Sequence, residues 1–301
     1  LVKQHYKSFS ERFKTTSLNI SSLSRMTSLK DRNKIKNDLK TGEVNIVIGT
    51  HALLSNDVDF NNLGLLIIDE EQHFGVAQKE KIKELQGNIH VLTLSATPIP
   101  RTLQLSLSGL KQLSLITTPP VNRLSIRTFV LEWDKVVLLD ALNREKNRGG
   151  QTFIVCPRVK DIDSLYDRIK TMVPDLSISV AHGQMKIDEL DKSINLFSDG
   201  ITDILISTNI IESGIDIPNA NTIIIHKADM FGLSQLYQLR GRVGRSKTRA
   251  YSYFTIDKDK ILQKKSQQRL DVIKTLDNLG AGFSLASYDM DIRGAGNLLG
   301  D

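Results

Sequence analysis

"LLIIDEEQHFGV", residues 65–76, drives four aliphatic side chains straight into three acids, a glutamine and a histidine. An apolar run of this kind, unbroken by polar alternation, reads as a strand of a parallel sheet buried on both faces. Ligands of an open α/β sheet bind beyond the carboxyl ends of its strands. Asp69 and Glu70 therefore stand where a ligand would sit. An acid there can hold Mg2+ through water against the phosphates of a nucleotide, and a neighbouring carboxylate can take the proton of an attacking water. By themselves three acids after a strand are more often a solvated turn. The surrounding pattern has to decide.

Outward from this stretch, short apolar runs alternate with helical patterns, as in a parallel sheet covered on both sides. Strands are expected near 18–23 and at 45–49, 63–69, 90–95 and 113–117, with helices over 3–14, 28–40, 78–86 and 99–108. The prolines of "TTPPVNR" (117–123) exclude helix and mark a linker. The alternation then restarts, with strands at 126–132, 152–156, 177–182, 203–208, 221–226 and 250–255, and helices at 134–147, 161–172, 185–198 and 233–240. A last helix is expected over 258–279, ahead of a glycine-rich tail. The expected fold class is α/β. Two parallel-sheet domains, 1–118 and 119–257, precede a helical and loop segment, 258–301.

The 301 residues suffice for two domains. No apolar run approaches the roughly 18 residues that span a bilayer. The opening "LVKQHYKSFSERFK" lacks the apolar core of a signal peptide. The single cysteine, Cys156, excludes an internal disulfide and a cysteine-built zinc site, and a reducing, cytoplasmic setting is expected. A formal charge of +6 permits a polyanionic partner without requiring one. The first residue is Leu rather than Met, and the chain reads as a piece of a longer one.

Three further stretches sit at predicted element ends. "TLSATPIPR" brings Ser95 and Thr97 after a strand. "STNIIESGIDIP" (207–218) follows another. "QLYQLRGRVGR" (235–245) closes a helix with Arg242 and Arg245 spaced by glycine. Guanidinium is permanently charged and matches phosphate oxygens bidentately, so the expectation is a metal-bound triphosphate with acids on one side and arginines reaching it from the other domain.

These stretches resemble the motifs of superfamily 2 helicases and translocases, which have two RecA-like domains. By that resemblance the first domain here is expected to be truncated at its start. "LIIDEEQHFGV", "LTLSATPIPRTL", "IIESGIDIPNANTIII", "FGLSQLYQLRGRVGRS" and "DIRGAGNLLG" are similar to those of the transcription-repair-coupling factor family, with RecG as the nearest relative. The resemblance covers the whole chain. It departs at His73, where an arginine is commoner. It also departs in lacking any G-x-x-x-x-G-K-S/T loop, which in the family lies upstream of Leu1 and cradles the phosphates. These 301 residues alone are therefore expected not to hydrolyse ATP.

The resemblance implies roles. Asp69 holds Mg2+ through water, Glu70 activates the attacking water, Gln72 senses the γ-phosphate, and Arg242 and Arg245 act as arginine fingers. Gly214, Asp216 and Gln238 line the ATP site. DNA contacts that track phosphates without reading bases are expected from Arg25, Thr50, His51, Pro157, Arg158, His182, Gly183 and Thr208. For His51 and His182 a structural role stays equally open. Ser95, Thr97, Arg101 and Arg293 match parts that couple the motor to duplex movement. The implied function is the motor core of an ATP- and Mg2+-dependent double-stranded DNA translocase that displaces stalled RNA polymerase. Polymerase and excision-repair proteins would be bound through other domains. A RecG-like fork-remodelling helicase and a catalytically inactive nucleic-acid-binding module are the alternatives. A metalloenzyme built on the acids and His73 lacks a second histidine or cysteine at ligand spacing.

Overall fold

The computed structural model describes residues 1–24, 27–71, 74–87, 89–95, 112, 114–116, 118, 124–209, 217–275, 285, 288 and 292. The chain divides into two compact units, Leu1–Ala96 and Thr97–Asp301.

The first unit begins with helix α1 (Val2–Arg12) and strand β1 (Ile20–Leu23). Helix α2 (Leu29–Thr41) starts at Ser28, whose hydroxyl accepts from the Asp31 N–H, and ends at Gly42 with φ 83°, a left-handed cap that glycine adopts without penalty. Strand β2 (Ile46–Gly49) lies parallel to β1 in register Leu23 to Gly49. A small core of Leu23, Leu39 and Val58 forms here. A second parallel pair, β3 (Leu65–Asp69) and β4 (His90–Leu94), runs in register Leu65 to His90 through Asp69 to Leu94, with α3 (Val76–Gln86) between them in sequence. Ile68 and Ile82 are buried, whereas Leu65, Ile67, Leu92 and Leu94 alternate on an exposed face.

The second unit is built on six parallel strands in the order β5-β10-β9-β6-β8-β7. They are β5 (Arg127–Glu132), β6 (Gln151–Val155), β7 (Ile178–Ala181), β8 (Ile204–Ser207), β9 (Ala220–Ile225) and β10 (Tyr251–Ile256). The described helices are α4 (Lys135–Asn147), α5 (Ile162–Met172), α6 (Ile187–Ser198), α7 (Leu233–Arg240) and α8 (Lys264–Thr275). Successive strand residues point to opposite faces. Phe153 and Val155 enter the layer with Phe197, Leu236 and Leu270, while Ile154 and Cys156 enter the layer with Leu138 and Leu165. Each side chain of this size buried contributes roughly 1.5–3 kcal/mol. Both faces of the sheet are thus sealed, and its strands read as unbroken apolar runs for that reason.

The α/β class and the parallel pairing follow the expectation. Most element bounds fall within two residues of those expected, and two elements depart further. The strand expected over 113–117 is absent at the described residues 114–116, where Ile116 is 93% exposed. Apolar alternation makes a strand only where a neighbour supplies the ladder. The helix expected from residue 258 begins at Lys264. Asp259 has φ 58°, and Lys260 is drawn 2.6 Å from the Asp229 carboxylate, so a tertiary tie replaces the first helical turns. The helix expected over 99–108 and nearly all of the proline stretch lie outside the described residues. No helix among the described residues is long and apolar enough to cross a membrane.

Candidate nucleotide and DNA sites at the strand ends

Asp69 is the last residue of β3 and lies in register with Leu94, after which comes Ser95. The acids and the serine therefore leave the carboxyl ends of two adjacent parallel strands. The Glu70 N–H donates to the Leu94 carbonyl at 3.0 Å. Its φ of 51° is left-handed, a conformation that costs a non-glycine residue roughly 1–2 kcal/mol. Strain of this kind is found where a side chain must be aimed. Among the described residues no group of three or more histidine, cysteine or acidic side chains could cage a metal. The chemistry needed is more modest: one exposed carboxylate at a strand end can hold Mg2+ through its water shell. Gln72, Thr97 and Arg101 lie outside the described residues.

On the other strand pair, Thr50 follows β2. Its N–H donates to the Leu23 carbonyl at 3.3 Å, and its hydroxyl accepts from the Ala52 N–H at 3.4 Å. It thereby opens the tight turn His51–Leu54. His51 borders a cavity of about 560 Å3 that Arg32, Lys36 and Asp57 also line. Lys36 hydrogen-bonds Asp57 and holds that carboxyl down to about 2. Sequence reading passed over Arg32 and Lys36, whose i, i+4 spacing places both on one helix face. Arg25 lies outside the described residues.

In the second unit Val155, Ser207 and Ala181 are the in-register ends of three neighbouring strands, β6, β8 and β7. Pro157 and Arg158, Thr208, and His182 and Gly183 follow them. The Cys156 N–H donates to the Ser207 carbonyl at 2.9 Å, and the Thr208 N–H to the Ala181 carbonyl at 3.4 Å. All five expected DNA contacts of this unit are gathered at one edge of one sheet. The His182 Nδ1 is buried without a hydrogen-bond partner.

The arginines follow α7, which carries Gln238. Leu233, Leu236 and Leu239 bury one side of this helix in the core. The Arg242 N–H closes the helix end on the Leu239 carbonyl at 3.0 Å, and the residue is only 9% exposed, whereas Arg245 is exposed. Gly244 between them has φ 76°, and a Cβ there would meet Ile126 at 3.0 Å, so glycine sets how the two guanidiniums are presented. Gly214, Asp216 and Arg293 lie outside the described residues.

A cluster at the end of β9 was missed. Lys227 Nζ pairs with Asp161 Oδ1 at 2.9 Å. Burial works to raise the Asp161 carboxyl, but the Lys227 hydrogen bond and charge prevail and hold it below the ordinary carboxylate range. The adjoining His226 is pushed down to about 4, chiefly by burial and secondly by the Lys227 charge. Asp161 and Lys227 are 66 positions apart, and no local pattern announces such a pair.

Residues 1–106 match the DEAD/DEAH box helicase family and residues 134–247 the helicase conserved C-terminal domain. The chain thus carries two helicase-type domains and is structurally similar to superfamily 2 helicases. Within that class its curated relatives are transcription-repair-coupling factors. It is 55% identical to that of Rickettsia prowazekii over 301 residues, all of this chain and 27% of the relative. It is 52% identical to that of Bacillus subtilis over 300 residues, 26% of the relative. The chain thus spans about a quarter of the length of these proteins. Among solved structures, RecG bound to a three-way DNA junction superposes with a TM-score of 0.77 and 36% identity, over 99% of this chain and 39% of that one. A yeast Dbp5 bound to RNA shares the fold, with a TM-score of 0.69 and 16% identity.

Proposed function

We propose that this chain is the motor portion of an ATP- and Mg2+-dependent translocase on double-stranded DNA, in a cytoplasmic protein that displaces stalled RNA polymerase and so couples transcription to repair. The observation that carries the reading is the pair of strand ends at Asp69 and Ser95, with Glu70 held left-handed between them. A non-glycine residue held left-handed is found at active sites, ligand clamps and switch regions, and an acid so held at a strand end favours a functional site there. In this reading Asp69 holds Mg2+ through water and Glu70 takes the proton of the attacking water. Gln72 senses the γ-phosphate. Gly214, Asp216 and Gln238 border ATP, and Arg242 and Arg245 supply guanidiniums to that same nucleotide. Mg2+ would supply charge neutralisation on the phosphates. Thr50 and His51 in one unit, and Pro157, Arg158, His182, Gly183 and Thr208 in the other, grip the DNA backbone, with Arg25 joining them. Ser95, Thr97, Arg101 and Arg293 pass the motor stroke to the duplex.

The identities of 55% and 52% to transcription-repair-coupling factors along the whole chain favour polymerase displacement over fork remodelling, which the 36% identity to RecG keeps as a second reading. The test is phosphate release by the complete protein with and without duplex DNA. Stimulation by DNA is expected, and Glu70→Gln should bind nucleotide normally while losing roughly 10²- to 10⁴-fold in turnover. The 301 residues alone, which contain no G-x-x-x-x-G-K-S/T loop, are expected to be inactive. Release of a stalled polymerase against regression of a model fork separates the two readings. A complete protein that releases no phosphate with or without DNA would leave only the binding-module reading, and a Glu70→Gln variant that turns over ATP normally would remove Glu70 as the general base.

A further inference from the structure

We propose that the Asp161–Lys227 ion pair is a positioning element that links the DNA-gripping loop after β6 to the turn that launches the arginine helix α7. Engagement of DNA at Pro157 and Arg158 is thereby passed to Gln238, Arg242 and Arg245. The proposal rests on the motor reading above.

The pair has one foot in each segment. Asp161 closes a tight turn, Val159–Asp161, with its N–H donating to the Arg158 carbonyl at 3.1 Å, so its carboxylate is rigidly related to Arg158. Lys227 follows β9 directly. The His226 N–H before it donates to the Val155 carbonyl at 2.7 Å, the last rung tying β9 to β6. After Lys227 every step towards α7 is hydrogen-bonded. The Met230 N–H donates to the Lys227 carbonyl at 3.0 Å, Asp229 is paired with Lys260 at 2.6 Å, and the Gly232 N–H donates to the Gln235 side chain at 3.1 Å at the head of the helix. A displacement of Asp161 would therefore reach α7 through a stiff path.

Three features make the pair more than a surface contact. Its side chains are withdrawn from water, 14% exposed for Asp161 and 25% for Lys227, where a charge pair is less screened. The second Asp161 oxygen, Oδ2, is buried without a hydrogen-bond partner, so the carboxylate leans on Lys227. Lys227 also has φ 52° and ψ 51°, a left-handed conformation that a lysine has no local reason to adopt. A partly buried ion pair is a poor device for stability alone. One held on a strained backbone between two functional segments is suited to fixing their relative placement.

The test uses the complete protein that carries this chain. Lys227→Asn and Asp161→Asn remove the charges while asparagine tolerates the left-handed backbone at 227 and keeps the size of the aspartate at 161. ATP hydrolysis is measured without DNA and with saturating duplex, alongside thermal melting. Each single variant is expected to lower the ratio of stimulated to basal rate by roughly five- to tenfold, the scale for a residue touching neither ligand. Basal rates should stay within about twofold, and the double variant should be no worse than either single one. An unchanged ratio, multiplying effects in the double variant, or a basal rate that falls together with the melting temperature would overturn the proposal. A wild-type protein that DNA fails to stimulate would instead overturn the motor reading, and the proposal with it.

Discussion

The Trp133 indole meets the His226 imidazole edge to face, with ring centroids 4.9 Å apart and planes at 81°. His226 is 4% exposed, and burial, then the Lys227 charge, moves it from the ordinary 6.5 down to about 4. The neutral ring is therefore the form that fits. Above pH 6.5 neither the folded nor the unfolded state binds the proton, and nothing is lost. Between 6.5 and about 4 the unfolded chain takes the proton and the folded chain does not, so stability falls as pH falls. The loss should approach about 3 kcal/mol by pH 4. Melting curves over this range should show His226→Gln flattening the slope relative to wild type. Parallel slopes in the two proteins would remove His226 as the cause.

Cys156 offers a chemical readout of the same strand end. It is fully buried after β6, and burial, followed by the nearby Asp161 charge, pushes its thiol up to about 11. Only the thiolate reacts, and little is present or reachable at neutral pH. Alkylation of the native protein at pH 8 should be slower than that of the denatured chain by about two orders of magnitude or more, the thiolate deficit alone supplying the first factor. Mass spectrometry of the quenched reaction would report it. Rapid labelling without denaturant would contradict the packing around β6.

Gln151 holds the other end of β6. Its Nε2 donates to the Phe197 carbonyl at 2.6 Å and the Thr202 carbonyl at 2.7 Å, tying the strand start to the end of α6. The register of β6 against β9 shifts at this point, where the Gln151 N–H donates to the Asn219 carbonyl at 2.9 Å. Gln151→Leu keeps the volume but removes both donors from a buried setting, and should cost roughly 1–3 kcal/mol. Urea unfolding would measure it. A variant as stable as wild type would mean that the carbonyls find other donors.

What could be read from residues alone divides along physical lines. The strands of the second unit announced themselves because both faces are sealed, and "TFIVC" needs no periodicity to be recognised as interior. Asp69, Thr208 and His182 were legible because a polar residue ending an apolar run marks the carboxyl edge of a sheet. The start of α8 was not, because Lys260 is held by Asp229 from 31 positions away. Nor were the buried carboxylate of Glu145, which accepts from Arg148 and from Thr222, and the Asp161–Lys227 pair. Such partners meet only once the sheet order is known, and strand order leaves no mark in local composition.

Glu70 joins backbone strain to chemistry, and the two can be measured apart. Gln and Asn both remove the carboxylate and should both abolish turnover in the complete protein. They differ in the backbone they tolerate, since asparagine enters the left-handed region several-fold more readily than glutamine. With φ at 51°, Glu70→Asn should be more stable than Glu70→Gln by about 0.5–1 kcal/mol, a part of the left-handed penalty. The difference would appear as a melting temperature a few degrees higher for the asparagine variant. Equal melting temperatures, or glutamine the more stable, would place Glu70 in ordinary backbone space and remove the argument that its side chain is held under strain for catalysis.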